Sequence, residues 1–364
     1  MLNRVNITVF FIIIVGTALS FFIYFWQNLA QHKLIQEKFN AQIEKKAYEI
    51  RDGLEFNLHA LNSLAAYYYG SDSINREEFH EYTSVLMEMH PTIYALEWLP
   101  KVPHELKEKF ETDAQKESLK KFFIFEFDSE DNKRRASYRE NYYPVLYAEP
   151  PQENEIVIGL DVGFKKNRLD AILKAVETSS VSMSTQINLI EKEKGVLLFY
   201  PIYEDRKTKK DILGFFLAVI KIEELISKAI KDEFFDKGIA SVTIKEIDDA
   251  KTINPLFSNE CYDITTNFYH ETKLEFASRN WKIEAYASEY FVQAQFKKYP
   301  LILLIFLLSI TSILAFATYI ILRKQAVLLQ SNDEMRRFQN VAVTREERIV
   351  ELKALIKELR GQDV

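Results

Sequence analysis

The sequence predicts an α+β fold in which a long stalk helix carries two sheet-and-helix units between two transmembrane helices, followed by a coiled coil. Two uncharged apolar segments, residues 7–26 and 301–322, bracket the middle of the chain. After the first segment, apolar residues recur at steps of three and four, which is typical of an amphipathic helix. The rest of the middle alternates β-rich runs with helical stretches, which indicates mixed α and β structure.

Both apolar segments are long enough to span a membrane. About twenty helical residues rise about 30 Å, the thickness of the hydrocarbon core. A cleaved signal peptide is the alternative for the first segment, whose apolar run exceeds the roughly 7–15 residues usual for such peptides. Arg4, Arg323 and Lys324 place both chain ends in the cytoplasm, although Lys297 and Lys298 argue mildly against it. We therefore expect a multi-pass protein of the cell inner membrane with a periplasmic domain.

The predicted organisation has seven segments. They are a cytoplasmic N-terminus (1–6), a transmembrane helix (7–26), the stalk helix (27–70), a membrane-distal unit (71–220), a membrane-proximal unit (221–298), a transmembrane helix (301–322) and the cytoplasmic coiled coil (323–364). In the two units, the apolar spacing predicts helices over 76–89, 104–121, 165–178 and 222–230. β-rich runs lie between these helices.

Composition argues against several classes of function. The 364-residue chain has 47 Lys and Arg against 53 Asp and Glu, so it lacks the basic excess typical of nucleic-acid binding. Its single cysteine, Cys261, excludes an intramolecular disulfide. The histidines show no metal-ligand spacing, and the motifs of serine, zinc and nucleotide chemistry are missing. We therefore expect no metal, no cofactor, no nucleic-acid partner and no enzymatic activity.

A series of short signatures lies between residues 75 and 205. They are ALEWLPKVPHELKEKFE, YYPVLYAEPPQEN, GLD at Gly159 to Asp161, AILKAV and LLFYPIYED. In this order, between two apolar spans, they resemble the CHASE family of extracellular sensory domains, which occurs in bacterial membrane receptors and in plant cytokinin-receptor kinases. The resemblance implies two PAS-like units on a stalk, with a small ligand in the membrane-distal unit, and hence a membrane sensor for signal transduction. The alternative is a non-catalytic scaffold or adaptor whose outer module binds a protein or only dimerises.

The resemblance also implies two site residues. The aspartate that hydrogen-bonds the purine ring in the plant receptors corresponds to Asp161, and a leucine that makes a backbone contact corresponds to Met183. Where the plant pattern next has a threonine, this chain has the turn Glu191-Lys192-Glu193-Lys194, which departs from the cytokinin pattern. A planar or hydrogen-bonding small molecule of unknown identity is the expected ligand.

The residues around Asp161 fit an apolar pocket with few polar groups. Tyr143 and Tyr147 fall on alternate positions of an extended run, and we place them with Phe199 among the predicted ligand contacts. An inward-pointing Asp161 needs a hydrogen-bond donor, which a ligand N–H group would supply.

Three alternatives stay open at this stage. Asp161 is also placed to cap the helix beginning near Lys165, or to pair with Arg168. Glu97 is a second candidate anchor, for which a role at a sheet edge or in helix packing is the alternative. Asn154 is predicted to be a turn residue that bonds its own backbone.

The segment after Lys324 predicts a coiled coil. Heptad spacing relates Leu328, Met335, Phe338, Ile349, Leu352, Ile356 and Leu359. A parallel homodimer would bury this seam, and a helix lying on the membrane is the alternative. Thr344 and Glu347 predict a capping box that restarts the helix. Since this segment is too short for a kinase or cyclase domain, we expect output through a separate cytoplasmic protein or a downstream domain outside this chain.

Overall fold

The computed structural model describes residues 2–71, 74–117, 119–189, 193–231, 233–248, 251–260 and 264–360. Cys261 and two residues of the predicted turn, Glu191 and Lys192, lie outside this range. The chain divides into two compact units, Met1–Leu34 with Phe296–Val364, and Ile35–Gln295.

Helices and strands alternate in the second unit, as the sequence predicts. The helices are α1 (Leu2–Gly70), α2 (Arg76–Met89), α3 (Lys107–Lys116), α4 (Pro151–Asn154), α5 (Lys166–Thr178), α6 (Ile222–Ile230), α7 (Glu233–Gly238), α8 (Glu289–Gln295) and α9 (Tyr299–Arg360). The strands are β1 (Ile93–Pro100), β2 (Val102–Pro103), β3 (Phe125–Phe127), β4 (Lys133–Arg135), β5 (Asn141–Tyr142), β6 (Tyr147–Glu149), β7 (Ser182–Met183), β8 (Ile187–Asn188), β9 (Lys194–Asp205), β10 (Lys210–Lys221), β11 (Ile239–Asp248), β12 (Lys251–Glu260), β13 (Tyr269–Phe276) and β14 (Arg279–Ala287). Short 3-10 helices cover His104–Leu106, Glu155–Val157 and Val162–Phe164.

The first unit contains two helices that are long and apolar enough to cross a membrane. They run antiparallel, since Gly16 packs against Thr311 while Gln31 lies beside Lys297. The Gln31 side chain donates to the Lys297 carbonyl at 3.1 Å and accepts from its amide at 3.0 Å. Both predicted spans therefore lie within helices of suitable length and apolarity.

Helix α9 continues without a break to Arg360. The predicted capping box is wrong, because the Thr344 hydroxyl donates to the Asn340 carbonyl at 2.8 Å inside the helix. No Gly or Pro occurs between Leu301 and Thr344, so no residue type that breaks helices ends α9 there. Five residues of the predicted seam are exposed in the single chain, namely Leu328, Met335, Phe338, Ile349 and Leu352. The side chains of Ile356 and Leu359 lie outside the description, and the homodimer stays a prediction.

Two antiparallel sheets form the centre of the second unit. The distal sheet has the order β6-β1-β10-β9-β7, with β8 also paired to β9, and the proximal sheet has the order β12-β11-β14-β13. Ile43 and Leu54 of α1 share one core with Leu198 of the distal sheet and Trp281 of the proximal sheet. The stalk is therefore the common support of both sheets.

The structure departs from the sequence prediction at several elements, of which a helix end and an edge strand have a clear physical reason. The helix expected over 104–121 is shorter, because a 3-10 turn precedes α3 and α3 ends at Lys116. Strand β12 was not predicted, since Pro255 interrupts its β-rich pattern. Pro255 is tolerated because β12 lies at the edge of its sheet, where a missing backbone N–H costs little.

Candidate ligand-binding site

The distal sheet is a single layer whose two faces contact different neighbours. Successive side chains of a strand point to opposite faces. On β10, Leu217 and Val219 belong to a core shared with α5, whereas Phe216 and Ala218 belong to the core shared with the stalk. Glu97 of β1 pairs in register with Leu217, and therefore lies on the α5 face.

A cavity of about 500 Å³ lies on the α5 face. Its walls are mostly apolar and include Val145, Val157, Leu160, Val162, Ile187, Leu189, Leu197, Leu217 and Val219. Its polar and aromatic lining consists of Tyr94, Glu97, Phe127, Asp131, Asn154, Phe164, Lys165, Arg168 and Asn188, and Ile156 completes the wall. An apolar chamber of this size with a few polar groups is the usual form of a small-molecule site.

Glu97 is a buried carboxyl at the wall of this cavity. It is 5% exposed and lies on a central strand, opposite Ala148 of β6 and Leu217 of β10. The alternative of an edge position is therefore wrong. Burial raises the pKa of Glu97 to about 7, against the opposing charge of Arg168. In the described part of the chain, only burial and the charge of Arg168 act on its pKa, and no hydrogen bond from the protein does.

Arg168 faces the same cavity from α5. Its Nε–H is buried without a hydrogen-bond partner, and its guanidinium carbon lies 5.8 Å from the ring centre of Phe164. Burial lowers the pKa of Arg168, and the charge of Glu97 opposes this shift. Within the described residues, no ion pair joins Glu97 to Arg168, so each presents hydrogen-bonding capacity to the cavity.

The GLD segment forms a wall beside the cavity. Asp161 donates its backbone N–H to the Phe125 carbonyl at 2.8 Å, and Val145 donates to the Leu160 carbonyl at 3.0 Å. Gly159 has φ of 91°, and a Cβ there would lie 2.5 Å from the Phe123 carbonyl oxygen. Glycine is therefore required to thread this segment between its two neighbours.

The carboxylate of Asp161 is held within the protein by one hydrogen bond, to Oδ1, and one ion pair, to Oδ2, which accepts no hydrogen bond among the described residues. Its Oδ1 accepts the backbone N–H of Tyr143 at 2.9 Å, and its Oδ2 lies 3.3 Å from Nη1 of Arg139. Burial raises the pKa of Asp161, while the Tyr143 amide and Arg139 oppose the rise. Asp161 caps no helix through its side chain and pairs with Arg139, so the alternatives of a cap and of an Arg168 pair are wrong.

Four of the five predicted ligand contacts belong to the two cores on either side of the distal sheet, and Asp161 is the fifth. Tyr143 and Phe199 belong to the α5-side core, whereas Met183 and Tyr147 belong to the stalk-side core. Alternation fails between Tyr143 and Tyr147 because β5 ends at Tyr142 and β6 begins at Tyr147. None of the five lines the cavity of Glu97 and Arg168. Their direct contact with a ligand stays a prediction.

Asn154 has the role that its sequence context predicts. Its Nδ2 donates to the Pro150 carbonyl at 2.9 Å, which holds the turn that borders the cavity. No sequence pattern marked Arg168 as a cavity residue, because a lone arginine on an amphipathic helix usually lies in solvent. Glu97 had a signal, since it is a charged residue between Leu96 and Trp98 in an apolar run.

A second cavity, of about 670 Å³, lies between α2, α3 and β6. Three of its charged groups have partners, since Arg76 donates to the Leu146 carbonyl at 2.9 Å and His80 bonds Glu149 at 2.6 Å. The Glu149 hydrogen bond raises the pKa of His80. The cavity of Glu97 and Arg168 is the better candidate, because it contains a buried guanidinium N–H without a hydrogen-bond partner among the described residues.

Residues 72–257, just over half of the chain, match the CHASE domain family. The chain therefore belongs to the CHASE domain family, as its short signatures predicted, and the match extends beyond them into the proximal sheet. This defines the class of protein as one that carries an extracellular sensory domain.

Two curated relatives share this region. A germination-specific adenylate cyclase of Dictyostelium discoideum is 25% identical over 180 residues, which cover 47% of this chain and 21% of the relative. Histidine kinase 2 of Arabidopsis thaliana is 20% identical over 266 residues, which cover 68% of this chain and 21% of the relative. The chain thus spans about a fifth of the length of these relatives.

Two solved structures have a weaker likeness. An extracellular ligand binding receptor from Desulfohalobium retbaense is 12% identical, with a TM-score of 0.37, over 70% of this chain and 39% of that one. A protein titled methyl-accepting chemotaxis protein X is 8% identical, with a TM-score of 0.37, over 72% of this chain and 99% of that one.

We expect Asp161→Ala to destabilise the protein. The substitution leaves the buried Tyr143 amide without an acceptor, which costs about 1–3 kcal/mol of the free energy of unfolding. Denaturant unfolding of the full chain in detergent measures this change in the free energy of unfolding. Asp170→Ala, which removes an exposed Lys166 partner, should change the free energy by less than about 0.5 kcal/mol. If Asp161→Ala leaves the stability unchanged but abolishes ligand binding, the result would contradict this structural role and support a direct contact between Asp161 and the ligand.

We expect Glu97 to make stability fall as the pH rises. Its pKa is about 7 in the folded chain against an ordinary 4.5, so the folded state binds more protons between these values. The contribution of Glu97 to the free energy of unfolding is at its maximum below about pH 4.5. It falls by up to about 3 kcal/mol as the pH rises from there through about 7. Glu97→Gln should remove this fall in unfolding curves recorded across that pH range. Exposed Glu177→Gln should retain it, and a fall that persists in Glu97→Gln contradicts the assignment.

Proposed function

We propose that this chain is a membrane-anchored, extracytoplasmic small-molecule sensor of the CHASE type. The ligand binds in the cavity of Glu97 and Arg168, and its binding changes how the distal sheet packs on the stalk. The protein acts as a receptor in signal transduction and has no catalytic activity of its own. Membership of the CHASE family supports the sensory role, and the cavity supports a small ligand.

The observation that carries this proposal is that a single layer of β-sheet separates the cavity from the stalk. Leu217 lines the cavity, and the next residue on each side, Phe216 and Ala218, packs in the stalk core. On the stalk face, the ring centre of Tyr68 lies 5.5 Å from that of Trp98 and 5.8 Å from that of Phe216. A ligand that displaces β1 or β10 therefore alters contacts of the stalk through one layer of backbone.

The stalk is suited to carry such a change. Helix α1 is uninterrupted from Leu2 to Gly70, and it contains an apolar segment long enough to span a membrane. A ligand shifts an equilibrium between stalk arrangements only by its differential affinity for them. In this proposal the two sheets are PAS-like units, and ligand binding biases the packing of the distal one.

We further propose that the protein lies in the cell inner membrane with its CHASE domain in the periplasm. A homodimer joins the exposed seam of α9, from Leu328 to Leu352, in a cytoplasmic coiled coil. A separate cytoplasmic protein, or a domain downstream, receives the signal. The rival function is a membrane scaffold whose outer module binds a protein or only dimerises.

Filling the cavity tests the sensor function. Leu217→Phe adds volume inside the cavity, and Leu213→Phe makes the same change at a partly exposed position of the same strand. Calorimetric titration of the full chain in detergent with fractionated small-molecule extracts should give saturable heat with the parent and with Leu213→Phe. Leu217→Phe should lose at least about tenfold in affinity, a difference of 1.4 kcal/mol. Equal binding by all three proteins would place the ligand outside this cavity and contradict the proposal, and no binding by any of them favours the scaffold.

Cysteine crosslinking tests the coiled coil. Leu352→Cys lies in the predicted seam and Glu351→Cys lies beside it, and both are made in a Cys261→Ser background. A parallel coil brings paired core positions into contact, so Leu352→Cys should form a covalent dimer in membranes much faster than Glu351→Cys. Equal or absent crosslinking at the two positions would contradict a coil with this seam.

A further inference from the structure

Glu97 and Arg168 line the distal cavity without an ion pair between them, and the buried Nε–H of Arg168 has no hydrogen-bond partner among the described residues. Together these two groups define the chemistry of a ligand. A buried guanidinium without hydrogen bonds carries a large desolvation cost unless an acceptor reaches it. The Nε–H of Arg168 is in this state. A ligand that supplies an anionic, planar acceptor would satisfy it best, because guanidinium groups bind carboxylates through two parallel hydrogen bonds.

The carboxyl of Glu97 decides between ligands of different charge. An anion in the cavity repels an ionised Glu97, so the two coexist only when Glu97 is protonated and donates its O–H. Burial favours this protonated form, since it raises the pKa of Glu97 to about 7. A ligand ammonium would require the ionised form and would lie near the cations Arg168 and Lys165.

The titratable groups around Glu97 are two cations, one further carboxyl and one tyrosine, and of these only Arg168 acts on Glu97. On its own strand Tyr94 lines the cavity, from α5 and the residue before it come Arg168 and Lys165, and from the β3–β4 loop comes Asp131. The lining residues of β9 and β10 are apolar, namely Leu197, Leu217 and Val219. Arg168 is the charge that acts on the pKa of Glu97. Apolar walls then contact whatever the ligand carries behind its acid group.

We infer that the distal cavity binds a small monocarboxylate with an apolar body, whose carboxylate pairs with Arg168 while Glu97 takes up a proton and donates a hydrogen bond. This inference rests on the proposed sensor function and specifies its ligand class. Where Glu97 is ionised in the free protein, one solvent proton moves to it as one ligand anion enters; where Glu97 is already protonated, the anion enters without proton uptake.

Probes with one body and different head groups test the ligand class. The aromatic set is hydrocinnamate, hydrocinnamamide, phenylalanine and phenethylamine, and the aliphatic set is hexanoate, hexanamide, norleucine and pentylamine. Calorimetry on the full chain in detergent should show that the carboxylate of at least one set binds at least about tenfold more tightly than its amide, zwitterion and amine, since charge-assisted bonds are the stronger ones. Affinity should fall as the pH rises through 7, and buffers of different ionisation heat should report net proton uptake.

Two variants with matched controls separate the roles. Arg168→Gln should weaken carboxylate binding at least about tenfold and leave the amide unchanged. Lys174→Gln, an exposed change on the same helix, should alter neither. Glu97→Gln should still bind the carboxylate, without proton uptake and without dependence on pH. Melting curves of each variant show whether it remains folded.

Three results would overturn the inference. The first is that, in both sets, the zwitterion, amine or amide binds more tightly than the carboxylate. The main contact with the ligand would then be made by Glu97 or the apolar walls. Carboxylate binding that Arg168→Gln leaves intact places the anion elsewhere. Failure of both carboxylates to bind also ends it. If the extracts still give heat that Leu217→Phe removes, the sensor function stands and only the ligand class is wrong.

Discussion

The distal sheet is one strand-layer thick, and its alternation of side chains places the ligand cavity directly behind the stalk packing. Leu217 contacts the cavity while Phe216, the adjacent residue, packs against the aromatic end of the stalk. Strands β1, β9 and β10 are hydrogen-bonded to one another over long antiparallel registers. The proposed signal therefore needs no long pathway of side chains, since cavity and stalk share the same backbone.

The wall of the cavity is held by a charge cluster that faces away from it. Arg139 bonds Glu126 at 2.6 Å and lies 3.3 Å from Asp161, and Ser137 bonds Glu126 at 2.7 Å. Although burial alone raises the pKa of Glu126, these hydrogen bonds and charges lower it to about 2. Glu126 is therefore ionised at neutral pH, and the cluster fixes the GLD segment beside the cavity. The charges of this cluster form ion pairs within the protein. Among the described residues, the Nε–H of Arg168 has no hydrogen-bond partner and Glu97 forms no ion pair, so this second pair of charges is open to a ligand.

The two sheets are also joined away from the stalk. Met183 of β7 donates its backbone N–H to the Ala277 carbonyl at 3.0 Å, and its own carbonyl accepts from Nε of Arg279 at 2.8 Å. Nη1 of Arg279 lies 3.5 Å from the buried Glu246 of the proximal sheet. The turn between β13 and β14 thus clamps the edge strand of the distal sheet. Met183 lies in this joint, which gives it a structural role whatever its part in ligand binding.

Local sequence patterns determined much of the architecture, and only the tertiary structure decided the site. Apolar length fixed the candidate spans, three-and-four spacing fixed α1, α2 and α6, and the ordered signatures around GLD predicted the CHASE family. Each of these depends on neighbours along the chain. Which carboxyl meets the cavity depends on residues far apart in sequence: Arg139 reaches Asp161, while Arg168 reaches the space beside Glu97. The break between β5 and β6 also interrupts the alternation of side chains. Tyr143 and Tyr147 therefore lie on opposite sides of the sheet, although their spacing on one continuous strand would place them on the same face.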